Sequence, residues 1–231
     1  MKILLFDTGP IISMTMNHII WSLKLLKKQF KGKFYITEAV KKELIDKPLR
    51  TKKFKLEALQ TLYRINAKTL EIKTAPGLDS KTDYLLKLAN TCFKYDSHYL
   101  KIVQYAEIET LALALIIKAD AIVIDEKTTR LLVEDPNKLE KILSYKIHRK
   151  VSIDQTNLKK FITAVKGVNL IRSAELVSIA FELGLLDKYI SNRPNAKKEL
   201  LEALLWGIKL EGCAISEKEI RMIDKLERKN F

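Results

Sequence analysis

The chain of 231 residues has only two cysteines and three histidines, and it lacks any long apolar run. Cys92 and Cys213 are far apart, without the spacing of a zinc site or the density of a disulfide scaffold, so we interpret both as packed thiols. No apolar run approaches the roughly 20 residues that span a bilayer, and Met1-Lys2 does not open a secretion signal. We expect a cytoplasmic protein with no membrane partner.

Acidic residues are fewer than basic ones: the chain has 28 Asp and Glu and 42 Lys and Arg, which gives a net charge of +14. Up to residue 150 there are 28 basic and 17 acidic residues, an excess of eleven, whereas the remainder has an excess of only three. A basic body of this kind fits a polyanionic partner such as RNA. A solvated, lysine-rich surface without a specific partner is the alternative.

Strand-like and helix-like segments alternate through residues 1–150, which indicates an α/β fold: a parallel sheet flanked by helices. The apolar run that ends at Asp7 predicts a strand buried on both faces. Apolar residues then recur at helical spacing from Pro10 to Phe30, which predicts one helix. From residue 153 helical periodicity dominates. We therefore expect a domain over residues 1–150 and an all-helical C-terminal extension over residues 151–231.

Carboxylates lie where predicted elements meet solvent. Asp7 and Asp125 each follow an apolar strand, Glu43 lies in a helical stretch, and Glu107 and Glu109 open another helix. In parallel sheets, ligands gather outside the carboxyl ends of the strands. Carboxylate oxygens suit a hard divalent cation, Mg²⁺ or Mn²⁺, and Mg²⁺ keeps several waters. The acids therefore predict a metal site that hydrolyses a phosphodiester.

Each acid also has a purely structural interpretation. Asp7 before Thr-Gly-Pro is typical of a turn or a helix N-cap, and Glu43 alone is typical of a solvated helix residue. Glu107 and Glu109 are two residues apart and cannot share a helix face, so only one is expected in the site. Glu126, beside Asp125, doubles the local negative charge, which a cation or a proton must relieve.

Four blocks, in this order, resemble the motifs of the PIN domain family: FDTGPIIS at 6–13, EAVKKEL at 38–44, AEIETLALA at 106–114 and IDEKTTR at 124–130. The resemblance covers residues 1–150. The family is similar in fold to flap endonucleases, uses acids to bind Mg²⁺ or Mn²⁺, cuts RNA, and includes the VapC-type toxins. The helical tail resembles that of an archaeal branch of PIN proteins.

The resemblance implies four metal ligands and catalytic groups: Asp7, Glu43, Glu107 and Asp125. Glu109 and Glu126 stay open as residues that replace or assist one of them, and Thr8 resembles the family's hydroxyl residue after the first acid. The implied function is a metal-dependent endoribonuclease acting on single-stranded or looped RNA. The alternative is a catalytically silent RNA-binding or assembly subunit. A homodimer, an antitoxin and a ribosome-associated protein remain open as protein partners.

Two groups of basic residues are expected to hold RNA through its phosphates, which positions a strand without reading its sequence. The first group lies between residues 24 and 33, and the second between residues 50 and 55. Their members are Lys24, Lys27, Lys28, Lys31 and Lys33, and Arg50, Lys52, Lys53 and Lys55.

Overall fold

The computed structural model describes the backbone of residues 2–227 and the side chains of residues 2–226. Its strands are β1 (Lys2–Phe6), β2 (Gly32–Ile36), β3 (Glu71–Ile72), β4 (Phe93–Tyr95), β5 (His98–Tyr99), β6 (Ala121–Val123), β7 (Ser152–Ile153) and β8 (Leu170–Ile171). Five of them form a parallel sheet in the order β3-β2-β1-β6-β8, and three form a small antiparallel sheet in the order β5-β4-β7.

Helices cover both faces of the parallel sheet. They are α1 (Thr8–Met16), α2 (Ser22–Phe30), α3 (Glu38–Lys41), α4 (Lys47–Leu49), α5 (Lys55–Asn66), α6 (Leu78–Ala89), α7 (Tyr105–Ile117), α8 (Lys127–Glu134), α9 (Pro136–Ile147), α10 (Gln155–Ala164), α11 (Ser173–Glu182), α12 (Ala196–Leu210) and α13 (Glu217–Glu227). A π-helical turn, Lys42–Asp46, joins α3 to α4. The predicted fold class is confirmed. Within residues 2–227, no helix combines the length and the apolar character needed to cross a membrane.

Strand β1 is the centre of the sheet because its side chains are buried on both faces. Leu4 and Phe6 join the core on one face, and Leu5 joins the core on the other. Phe6 is paired with Val123 of β6, and the Asp7 amide donates to the Val123 carbonyl at 3.0 Å. The two chains therefore leave the sheet side by side, which brings the segments after β1 and β6 to the same edge.

The single helix predicted between Pro10 and Phe30 is wrong, because the structure has two helices, α1 and α2, with a turn between them. His18 in this turn has a positive φ of 56°, which stops α1. Ile11 of α1 and Leu23 of α2 nevertheless bury in the same core. A shared core keeps the apolar spacing nearly continuous through the break, so periodicity does not reveal the turn.

Residues after 151 pack directly on the first part of the chain. Their helices share one core with α1, and the contributing side chains include Ile11, Met14, Val177, Phe181, Leu205 and Ile208. Gly207 permits the close approach of α12, since a Cβ there would lie 2.0 Å from Oδ1 of Asn17. The part of the extension that the structure describes, residues 151–227, is mainly helical, as predicted, and residues 228–231 lie outside the described residues. Strands β7 and β8 also belong to it, and β8 joins the main sheet. The boundary predicted at residue 150 falls in the loop between α9 and β7.

Candidate functional site

Asp7 is the most unusual acid of the molecule. It directly follows β1, is 4% exposed, and its Oδ1 atom is buried without a hydrogen-bond partner among the described residues. Burial raises the pKa of its carboxyl from 3.8 to about 7, and the charges of Glu107 and Glu43 add to this, against hydrogen bonds from the Thr8 and Gly9 amides. The energetic cost of such a buried negative charge is offset when the carboxylate binds a proton or a cation.

Glu43 reaches the site from the π-helical turn. Turns of this kind are rare and occur frequently at functional sites. The Thr8 hydroxyl donates to Oε2 of Glu43 at 2.8 Å, while Lys47 lies 3.9 Å from Oε1 in a partly solvated ion pair. Thr8 directly follows Asp7, so this hydrogen bond links the second acid to the first. The sequence resemblance singled out this hydroxyl, and the structure gives it a definite partner.

Glu107 lies in the first turn of α7. Its Oε2 atom accepts a short hydrogen bond from the Thr129 hydroxyl and a 3.4 Å bond from the Gln104 amide. Burial raises the pKa of Glu107 most, and the charges of Glu126 and Glu43 raise it further, against the lowering by the Thr129 hydrogen bond. Asp7, Glu43 and Glu107 therefore form an electrostatically coupled group.

The two alternative acids have different surroundings. Glu126 caps α8, where its carboxylate accepts from the amides of Thr128 and Thr129, the latter at 2.9 Å, and it adds to the charge around Glu107. Glu109 is buried and accepts from the Ala39 amide at 2.9 Å, which satisfies an N–H at the start of α3. Of the two acids on α7, Glu107 thus belongs to the coupled group, whereas Glu109 stabilises the N-terminus of α3.

Asp125 lies at the same edge of the sheet but its oxygens are occupied. Oδ2 accepts from the hydroxyls of Ser13 at 3.0 Å and Ser173 at 2.6 Å, and Oδ1 accepts from the Ser173 amide at 2.8 Å. The Cys213 thiol is buried near Asp125, and its pKa is raised to about 12 by burial and then by the charge of Asp125. Both oxygens of Asp125 are thus engaged, and the three hydrogen bonds tie α1, the segment after β6 and α11 together.

A cleft of about 450 Å³ opens beside the coupled group. Of the coupled group only Glu43 lines it. The other charged lining residues are the acids Glu38, Asp79 and Glu109 and the exposed lysines Lys42 and Lys47. Acids and bases therefore meet at one opening.

The chemistry of these donors fits Mg²⁺ or Mn²⁺ because all of them are oxygens, from three carboxylates and the hydroxyls of Thr8 and Thr129. Among residues 2–226, no three His, Cys, Asp or Glu side chains are gathered into a ready set of metal ligands. Mg²⁺ is usually held by one or two carboxylates and keeps several waters. The orphaned Oδ1 of Asp7 is the atom that fits a cation best.

The two predicted basic groups are separated by the sheet. Residues 31 and 33 lie at the start of β2, which pairs in parallel with the start of β1, so they occupy the edge opposite Asp7. Lys27 and Lys33 are also paired with Glu71, at 2.8 and 3.1 Å. In contrast, residues 50–55, which we call the basic segment, directly follow the π-helical turn and α4 and are exposed throughout.

Sequence reasoning missed three hydroxyl residues that set up the site: Ser13, Ser173 and Thr129. Ser13 lies one helical turn after Gly9, and its hydroxyl also donates to the Gly9 carbonyl at 2.9 Å. Ser173 begins α11 one residue after β8, whose two residues are too few to be recognised as a strand. A strand end followed by a serine was the available signal, but it depends on knowing that β8 joins β6.

Three comparisons of this chain with known proteins test which family it belongs to. The resemblance of four sequence blocks to PIN domains remains an expectation from sequence, and the site's chemistry follows from its own side chains. Searches with protein-family models, curated proteins and solved structures give no match for this chain.

Proposed function

We propose that this protein is a metal-dependent endoribonuclease of the PIN type that cleaves single-stranded or looped RNA with Mg²⁺ or Mn²⁺. The observation that carries the proposal is Asp7: a buried carboxylate with an unpartnered oxygen and a pKa raised to about 7. Such an arrangement costs folding free energy unless a ligand compensates. A divalent cation bound at Oδ1 is a compensating ligand that also performs chemistry.

Asp7 and Glu107 would hold the cation, with Glu43 beside them. A bound Mg²⁺ or Mn²⁺ supplies charge neutralisation and a nucleophilic water for phosphodiester hydrolysis. Thr8 fixes the orientation of Glu43, and Thr129 fixes that of Glu107. Asp125, the fourth acid implied by the resemblance, would have to exchange its serine hydrogen bonds to bind directly, so we propose it as the residue that holds the sheet edge in place.

RNA would approach along the basic segment, where Lys53 lies over the ring of Phe54, with Nζ 4.6 Å from the centroid. Phe54 is 43% exposed, and Tyr63 on α5 is also exposed. Lysines beside exposed aromatic rings suit single strands, because cations contact phosphates and rings stack on unpaired bases. This supports a single-stranded or looped substrate over a duplex.

The test is a cleavage panel of RNA and DNA, single-stranded and duplex, with Mg²⁺, Mn²⁺ or EDTA. Wild type is compared with Asp7→Asn and with Glu202→Gln, which removes an exposed acid on α12. We expect RNA cleavage that stops with EDTA and falls about a thousandfold in Asp7→Asn, since a bound metal contributes several kcal/mol to the transition state. The Glu202 variant should keep wild-type activity. Full activity of Asp7→Asn would eliminate the proposed mechanism.

The alternative is a PIN-like subunit that binds RNA without cutting it. The serine hydrogen bonds of Asp125 favour it, because one of the four implied ligands is then committed to structure. This alternative predicts RNA binding and Mn²⁺ binding by the wild type together with intact RNA at every metal concentration.

A further inference from the structure

A second cleft, of about 670 Å³, lies between α8 and the loop that joins α12 to α13. We call it the basic cleft because five of its lining side chains are cations and one is an acid: Lys127, Arg130, Lys138, Arg172, Lys209 and Glu219. Such a concentration of one sign of charge in a concave site attracts anions. The acidic group around Asp7 does not line this cleft.

Three of these cationic side chains can still donate hydrogen bonds to an anion. Lys127 and Lys138 are exposed, and within residues 2–226 neither has an ion pair with a carboxylate. Arg130 bonds Glu134 at 3.1 Å through one terminal nitrogen, but its Nε is buried without a hydrogen-bond partner among the described residues. A buried guanidinium N–H without an acceptor is unfavourable, so this atom points to a ligand that supplies one.

The acid in the basic cleft is already neutralised. Burial alone would raise the pKa of Glu219, but hydrogen bonds from Ser216 and Arg172 lower it to about 2. Arg172 lies 2.7 Å from Glu219 and is also bonded to Glu175. These residues cancel each other's charge, and Glu134 offsets that of Arg130, so the excess that remains comes from Lys127, Lys138 and Lys209.

The loop of residues 211–216 does not offer its amides to an anion. The amide of Cys213 donates to Ile208, that of Ala214 to Asp125 at 3.3 Å, and that of Ser216 to Glu219. Recognition in the basic cleft must therefore come from side chains. Flexible lysines with an arginine are suited to a phosphate group, which offers several equivalent acceptor oxygens.

The basic cleft adjoins the proposed active site through the segment after β6. Lys127 directly follows Glu126, whose charge acts on Glu107, and the amide of Ala214 bonds the carbonyl of Asp125. We propose that the basic cleft binds a backbone phosphate of the RNA strand, one or more nucleotides away from the bond that is cut. This inference rests on the proposed RNA substrate, and it assigns residues after 151 a part in holding that substrate.

Binding is measured in EDTA, so that no cleavage occurs, with a fluorescein-labelled oligouridylate titrated at several salt concentrations. The variant Lys127→Gln/Lys138→Gln removes two exposed charges of the basic cleft. The matched control Lys159→Gln/Lys160→Gln removes two exposed charges of α10, which belong neither to the two basic groups nor to the basic cleft. We expect the cleft variant to lower the slope of log K against log salt by about 0.7, the value for one lost phosphate contact to a single strand. The control should leave the slope unchanged.

Equal losses in the cleft variant and the control would overturn the proposal. AMP and inorganic phosphate are titrated in parallel, because a free phosphate has the same chemistry. AMP binding that depends on Lys127 and Lys138, with RNA binding that does not, would overturn the RNA assignment and leave a nucleotide site. Loss of RNA binding in the cleft variant, in a protein that never cleaves RNA, would support the cleft while contradicting the nuclease.

Discussion

Asp7 and Asp125 occupy nearly equivalent places, since each follows one of two neighbouring parallel strands at the same edge of the sheet. Both are buried, at 4% and 2% exposure. Their surroundings are opposite: Asp7 has an oxygen without a partner and neighbouring acids, whereas both oxygens of Asp125 accept hydrogen bonds from serines. The Asp7 carboxylate therefore remains available to a ligand, whereas the Asp125 carboxylate is engaged in hydrogen bonds within the fold.

The difference arises from distant parts of the chain rather than from the strands themselves. Ser173 belongs to the part of the chain after residue 151, and it reaches Asp125 because β8 lies beside β6. Asp7 instead lies near Glu43 and Glu107, whose carboxylates add negative charge and offer no hydrogen-bond donors. The same local pattern, an aspartate after an apolar strand, thus serves stability in one case and ligand binding in the other.

The largest expected difference between Asp7 and Asp125 is in the stability of the protein after each is substituted by asparagine. In Asp125→Asn, the amide nitrogen replaces one oxygen that accepts from two serine hydroxyls, so we expect the free energy of unfolding to fall by about 3 kcal/mol. Urea denaturation measures this. At neutral pH, Asp7→Asn should unfold at equal or higher urea concentration than wild type. A stable Asp125→Asn variant would show that the serine contacts are not a structural junction.

The pH dependence of stability is the next effect in size. Because the folded-state pKa of Asp7, about 7, lies above the ordinary 3.8, the folded protein keeps a proton that the unfolded chain has lost between these values. The free energy of unfolding should therefore fall as pH rises from about 4 to about 7, by at most about 1.4 kcal/mol per pH unit from this group.

Asp7→Asn should remove that contribution, so the difference between variant and wild type is the quantity to measure, by urea denaturation across this range. The subtraction cancels carboxyls that do not interact with Asp7, such as Glu71 and Glu219, whose pKa values are lowered, against the effect of burial, by hydrogen bonds and neighbouring cations. Parallel pH profiles of the two proteins would mean that Asp7 is not held at a raised pKa.

The smallest effect concerns the hydroxyls that orient the acids. Thr8→Val and Thr129→Val each remove one hydrogen bond to a carboxylate, from Glu43 and Glu107 respectively. We expect each to lower cleavage about tenfold and to change the free energy of unfolding by about 1 kcal/mol or less. Thr163→Val on α10, whose hydroxyl bonds a backbone carbonyl of its own helix, is the control. Cleavage at the wild-type rate in both threonine variants would remove them from the site.

Periodicity and strand ends were enough to predict the α/β fold, because β1 is apolar on both faces and helices alternate with it. They were not enough to find the break at His18, since α1 and α2 bury their apolar residues in one core. Nor did they reveal β8, whose two residues carry no pattern of their own. Elements this short are defined by their neighbours in space.

The location of the acids was predictable, but their state was not. The sequence places Asp7 and Asp125 after strands, and the parallel sheet brings them to one edge. Whether an oxygen is free depends on hydrogen bonds such as those of Ser13 and Ser173, which come from residues 112 and 48 positions away from Asp125. Basic residues show the same limit: the lysines around residue 31 and the basic segment are equivalent in sequence and lie apart in the fold.

The central claim is that the free carboxylate of Asp7, rather than that of Asp125, binds a divalent cation. Isothermal titration of Mn²⁺ into wild type, Asp7→Asn and Asp125→Asn tests it directly, above the pKa of Asp7 and below the unfolding temperature of each protein. We predict one binding event in wild type, retained affinity in Asp125→Asn, and no detectable binding in Asp7→Asn. Unchanged Mn²⁺ binding in Asp7→Asn would contradict the account.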